Sequence, residues 1–395
     1  MSERYGVIRR SLRGSVSDHS GTINEIVVVM RGPSAAVFKP DEQLFVPEAI
    51  SDIGPVRITY TTRHISRSSD VTLPGQLWIE IRGNAPMLAE ALEPFSNAGL
   101  FVLPILALSA NAAVGEPEIE LGFDNTEGLT ERDFFQSYVP PEPDILHPAR
   151  GIDVSATLAL MAAIGAHTGS ERLLRGANQY RIALQSWRLG RETFALAHLW
   201  MATEAITKAK VRAECESRGI TEPELAVELG IPREGYSGNR LEQAVRRDLL
   251  LRGDDEAYRK AREASDGFEH GYLNYGEIRE RARDVRHSVA ECVRTAILEM
   301  CELDAATFST LTSDPFDKPL GRWPVVKYIR GKLIGAGTEL AAPGNAYPIV
   351  KWGSSIKTAR WEGGKYNVEI TEHFSPDLAE GILLRHESIE MWQAS

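Results

Sequence analysis

The sequence predicts an α+β protein with a β-rich amino-terminal domain over residues 1–140, an all-helical bundle over 150–305 and a small β-rich region over 320–395. Three observations carry that reading. Before residue 140, short apolar or alternating runs are separated by Gly, Pro, Ser and Asp, the pattern of strands and turns. From Val154 to Leu303 the apolar spacing changes to three and four residues, with many Ala, Leu, Arg and Glu. Beyond Thr312 a two-residue alternation returns. At 395 residues the chain also exceeds the roughly 250 at which a single core stops growing, so two or three domains are expected.

In the first region strands are expected at residues 26–30, 56–60 and 77–81. One helix interrupts them, opened by Ala85-Pro86 and closed by Asn97-Ala98-Gly99, because proline suits a first helical turn and Asn-Ala-Gly a stop. Residues 138–144 hold three prolines, which fix extended backbone and deny ladder hydrogen bonds; the first domain boundary is expected there. The bundle then opens with a long helix over residues 171–189, stopped by Gly190. A second helix, from Arg191 to about Glu214, carries Phe194, Leu196, Leu199, Trp200, Met201 and Ile206 on nearly every side and belongs at the centre. An insertion over 216–239 includes a short helix at 222–229, and helical pattern resumes at 241–251 and 256–264. The last helix, 277–303, repeats Ile278, Ala282, Val285, Val289, Val293, Ile297 and Met300 along one inner face. In the carboxy-terminal region Tyr366, Val368 and Ile370 alternate with polar residues after Gly363-Gly364, which predicts a hairpin.

Charge and composition narrow the function. A net charge of −11 repels polyanions as a whole, so any nucleic-acid contact has to be local. Cys215, Cys292 and Cys301 make no disulfide framework and no C-x-x-C, which points to a reducing cytoplasm. The first residues lack an apolar leader core. The longest apolar run, residues 100–108, is half a membrane span and contains Pro104, so no membrane role is expected. No cofactor and no metal is called for: Gly331-Lys332 and Gly364-Lys365 lack the rest of a phosphate-cradling loop, and Gly335-Ala336-Gly337 lacks a third glycine. His386-Glu387 lacks a second histidine, and the acidic run 116–120 lacks an EF-hand pattern. His198 and Glu204, six residues apart, point about 120° apart on their helix, and Glu204 is expected to pair with Lys208 one turn on. The tail aromatics Trp323, Tyr328, Trp352, Trp361 and Tyr366, with Arg330, read as small-domain core ahead of a stacking surface.

The phrase Ala264-Ser265-Asp266-Gly267-Phe268-Glu269-His270-Gly271-Tyr272 stands apart, because a histidine lies between two glycines just before the last helix. Histidine is the usual acid or base for moving a ribose hydroxyl proton, and phosphodiester chemistry also needs a cation such as arginine. His270 with Asp266, and Arg262 two turns earlier, form one candidate set. Arg281 and His287 on the last helix form a second, with Arg279, Arg283 and Arg286 as further candidate cations on that helix and three residues between Arg283 and His287. Residues 240–294 hold twelve Lys and Arg against twelve Asp and Glu, so no basic stripe is expected, and the plain alternative is a turn followed by a solvated helix face.

The order of features over residues 171–303 resembles the HEPN superfamily, especially its Apea-like branch. The match runs through Phe194-Ala195-Leu196-Ala197-His198-Leu199-Trp200-Met201-Ala202-Thr203-Glu204 and through Ser265-Asp266-Gly267-Phe268-Glu269-His270-Gly271. The family pattern at the second place is Arg-Asn/Asp-x-x-x-His; Asp266, His270 and Gly271 fit, and Ser265 stands where the arginine belongs. A second resemblance, to proteins of methylamine utilisation, rests on residues 266–271 alone. The HEPN resemblance implies a helical bundle that dimerises and, in members that cleave RNA without metal, an Arg and His acting together at a dimer-built site. Ser265 turns the expectation toward a binding or assembly module that takes RNA or a nucleotide and forms a homo-oligomer through the helical domain. The alternative is a metal-independent RNase or toxin-like nuclease, as in phage defence, using His270 with a nearby arginine.

Overall fold

The computed structural model describes residues 23–68, 71–137, 147–271, 273–314, 316–322, 326–336, 338–362 and 365–392. It is an α+β protein. The proline-rich stretch 138–144, Trp323, the Gly363-Gly364 turn and the first residues lie outside the described residues.

The amino-terminal region builds an antiparallel sheet from β1 (Asn24–Gly32), β3 (Leu44–Ser51), β4 (Gly54–Ser68), β5 (Val71–Ala85), β6 (Glu118–Asp124) and β7 (Phe134–Gln136), with short β2 (Ala36–Val37) and β8 (Arg150–Gly151) to one side. Each expected strand lies within an observed one. β1 lies between β5 and β6, and β4 pairs with both β3 and β5. Helix α1 (Leu88–Leu100) covers one face of this sheet, as the Pro and Asn-Ala-Gly signals predict. It can sit close because the sheet offers glycines beneath it: a Cβ at Gly83 would lie 2.8 Å from Phe95, and one at Gly122 would lie 3.1 Å from Leu88.

Helix α2 (Leu103–Ala110) follows at once, formed by the apolar run around Pro104, and every residue in it is buried. Taken together, Leu88–Ala110 is long and apolar enough to cross a membrane, but most of it is covered by the rest of the chain. The helical region consists of α3 (Val154–Ala166), α4 (Ser170–Gln185), α5 (Glu192–Arg218), α6 (Glu222–Glu228) and α7 (Gly238–Ala244). A π-helical turn at Val245–Leu250 leads to α8 (Asp255–His270), α9 (Tyr275–Met300) and α10 (Ala305–Thr312). α5 is central, as its apolar circumference predicts. Trp187, Leu199, Ile206, Val289 and Ile297 belong to one cluster of buried apolar residues that runs without a break from Ile26 to Leu311.

Beyond it, β9 (Val326–Ile334) pairs with β12 (Leu383–Trp392), while β10 (Ile349–Glu362) and β11 (Lys365–Asp377) form the expected hairpin, with Trp361 opposite Tyr366. That hairpin joins the main sheet through Ala359 beside Val71 and Lys365 beside Arg150.

Three local expectations are corrected. The first helix of the bundle is not the expected one over 171–189 but α3, within the expected bounds of the domain, with Asp153 capping it through Ala156 N–H. Glu204 does not pair along its own helix; it reaches Arg246 at 3.5 Å, and Lys208 reaches Glu242 at 3.5 Å, because the π turn brings that segment over α5. The phrase 264–271 is no turn. α8 runs on to His270, burying Ala257, Ala261, Ala264 and Ser265 along one face, and only Gly271, at φ 68°, ends it. Gly267 is there for contact rather than for bending, since a Cβ on it would come within 2.7 Å of Leu273.

Candidate functional site

Arginines gather where the α4–α5 corner meets α9. α4 ends at Gln185, and Gly190, at φ 81°, turns the backbone so that Glu192 opens α5. A carboxylate in a first turn suits the positive end of the helix dipole. This one is also buried: the Glu192 side chain is 1 % exposed. Arg279 Nε donates to its Oε2 at 3.2 Å, and Arg283 Nη2 stands 3.8 Å from Oε1. Burial pushes the Glu192 carboxyl up, but its own backbone N–H, Arg279 and Arg286 together hold it below the usual glutamate range.

Residues 279, 283 and 286 share one stripe of α9, at spacings of four and three. Arg286 is buried and lies 5.1 Å over the ring of Trp187, itself fully buried. Burial lowers the Arg286 pKa and Glu192 partly restores it. His287, exposed, meets Trp187 edge-on at 5.0 Å. On the corner itself, Arg191 lies 5.1 Å over Phe194, and Arg188 is lowered by burial and by Arg191. Phe194 in turn meets the half-exposed Phe268 at 5.5 Å, which ties the corner to the end of α8. One carboxylate thus faces Arg279, Arg283 and Arg286, with Trp187 beside Arg286 and Phe194 beside Arg191 on the same corner. A guanidinium has five N–H donors, so an arginine fixed by one carboxylate oxygen still has donors for another acceptor.

The sequence-predicted residues divide between this corner and another face. Arg262 pairs with Asp266 at 3.6 Å along α8. His270 is exposed at the last residue of that helix, where a cation suits the dipole. Arg281 is taken up by Glu263. The antiparallel register of α8 and α9, set by that pair and by Lys260 with Asp284 at 2.8 Å, places His270 about 20 Å along the helix axes from His287. The two histidines therefore belong to separate places within one chain. Ser265, at the motif-arginine position, faces inward: it is 2 % exposed, and its hydroxyl has no hydrogen-bond partner among the described residues. Arg281 and His287, paired by spacing, point to different partners; His287 instead shares the corner with Arg283 and Arg286.

Sequence reasoning missed Trp187, Arg188 and Glu192; Arg279, Arg283 and Arg286 were expected only as candidate cations for a histidine, not as partners of a buried carboxylate. The signal was Gly190 flanked by arginines with an acid opening the next helix, together with arginines at 279, 283 and 286 on one stripe. His198 is structural, with Nδ1 2.8 Å from Gln179 Oε1 and its pKa lowered by burial. Glu116 and Glu120 face Arg181 and Arg31. Among the described residues no three His, Cys, Asp or Glu gather as metal ligands. Comparison with protein-family models, curated proteins and solved structures gives no match.

Proposed function

We propose that this is a HEPN-like helical-bundle protein that acts as a binding and assembly module, taking RNA or a nucleotide at the arginine-lined corner between α4–α5 and α9. The observation that carries this reading is the buried Glu192 carboxylate, which fixes Arg279 and Arg283 side by side. Arginine is the residue suited to phosphate, through paired charge-assisted hydrogen bonds. In a chain of net charge −11 a polyanion needs such a local set, and the aromatic rings of Phe194 and Phe268 beside it suit a base. Ser265, buried where the motif has arginine, supports binding without acid–base chemistry at His270. The reading includes self-association through the helical region and residence in the cytoplasm, in keeping with three free cysteines.

The test is the anisotropy of a labelled single-stranded RNA across a salt series. Wild type binds with a salt slope that falls by about two when Arg279 and Arg283 are both replaced by Met. Equal affinity and slope in the double variant would remove the proposal. A second reading, metal-independent RNA cleavage, is favoured by one observation: exposed His287 lies one turn from Arg283, so an acid–base group and a phosphate-binding cation share a helix face. It requires cleavage in chelator that disappears in His287→Ala and persists in His270→Ala.

A further inference from the structure

At the far end of α9 a second arginine serves a different purpose. Arg294 is 5 % exposed and donates through Nε to Leu108 O at 2.8 Å, through Nη2 to Ser109 O at 3.3 Å and Leu311 O at 2.6 Å, and through Nη1 to Phe316 O at 3.4 Å. Arg150, 8 % exposed, donates through Nη1 to Ala110 O at 3.1 Å, Asn111 O at 2.7 Å and Lys318 O at 2.8 Å. Every one of these acceptors is a main-chain carbonyl. Four of them close the carboxyl end of α2, where a cation suits the dipole. The other three belong to the segment 311–320, which leads from α10 to the carboxy-terminal strands. The same segment is fastened by Asn111 Nδ2 to Phe316 O at 2.8 Å, by Ala113 N–H to Leu320 O at 2.7 Å and by Leu320 N–H to Asn111 O at 3.0 Å. Burial and the neighbouring Arg294 push the Arg150 pKa down to about 10, against the opposing pull of Tyr180, Asp317 and Asp314.

The attachment is polar and narrow. Among the described residues of the segment only Leu311 and Phe316 are buried apolar ones, with Leu320 partly buried against the core, and among the described side chains beyond residue 320 only Ala359 and Ile382 are. Among the described residues the strands otherwise join the main sheet at Ala359, beside Val71, and at Lys365, beside Arg150. Local opening takes the least stable contacts first, and these have little apolar burial to hold them.

We propose that residues 311–320 are a strap held shut by Arg150 and Arg294, and that its release is a local opening which frees the carboxy-terminal strands from the bundle without unfolding it. Opening removes the Leu311 and Phe316 acceptors from a buried guanidinium, so the inner half of α9 has to admit water when the strap leaves.

Native-state hydrogen exchange on the full chain tests this. In wild type, the Ala113 and Leu320 amides, whose hydrogen bonds cross the strap, should exchange at least a hundredfold faster than the α5 amides around Leu199 and Ile206. Arg294→Met should speed the first group at least a further tenfold while leaving α5 unchanged, and Arg150→Met should do the same. If the strap and α5 exchange together in wild type, or if either variant leaves the strap rates as they were or speeds both groups alike, the proposal is overturned. Should Arg294→Met fail to fold, Arg150→Met and the wild-type ranking of rates decide.

Discussion

The end of α8 and the α4–α5 corner contain similar side chains and use them in opposite ways. At the end of α8, Arg262, Asp266 and His270 lie along an exposed helix surface, where each cation has a carboxylate or the helix terminus beside it and nothing is buried with it. At the corner a single buried carboxylate is shared by Arg279 and Arg283, two cations to one anion, which are held in fixed geometry. The first arrangement is neutral and solvated; the second is preorganised for an anion. A titratable residue beside glycines is therefore a poorer guide to a site than an imbalance of charge around a buried group.

The comparison can be broken most forcefully at Ser265. If the motif position were a working site, Ser265→Arg would add the missing cation. Because the position is buried, the change should instead destabilise the fold by about 3 kcal/mol or more, seen as an earlier denaturation midpoint. Next in size, Glu192→Gln should cost about 2 kcal/mol, since it leaves Arg279 and Arg286 without their buried counter-charge. That loss has a pH signature. The folded Glu192 pKa is lowered, so its contribution is complete above the unfolded glutamate value and disappears as pH falls through the folded one. Wild type and Glu192→Gln should accordingly converge in stability in acid and diverge toward neutral pH, which urea titrations at a series of pH values would show. Arg279→Met with Arg283→Met should weaken RNA binding at least tenfold and, because it leaves the buried Glu192 carboxylate without both ion-pair partners, should also lower stability, so binding is read at a temperature where circular dichroism shows the variant folded. Smallest of all, His270→Ala should change stability by less than about 0.5 kcal/mol and binding by less than twofold.

Much of the fold was legible because it rests on local period. The strands around Val28, Ile58 and Ile79, the apolar circumference of α5 and the inner stripe of α9 all follow from burial pattern. The errors lie where long-range packing overrules a local signal. Asp266-Gly267 reads as a turn, yet Leu273 packs where a Cβ would be and the helix continues. Glu204 and Lys208 have the spacing of an ion pair, yet Arg246 and Glu242 arrive from another segment. The site was less legible still. Glu192 and Arg279 are 87 residues apart, and only folding brings them together. A count of charges along the chain balances over residues 240–294 and so hides a cluster whose members come from two separate stretches.

The measurement that bears most directly on the central claim is the salt dependence of single-stranded RNA binding by wild type, Arg279→Met/Arg283→Met and His270→Ala, taken side by side. A site at the corner gives His270→Ala the wild-type affinity and slope, while the double variant loses at least tenfold in affinity and about two from its slope. Loss of binding in His270→Ala with the double variant unaffected would place the site at the end of α8 and contradict the account.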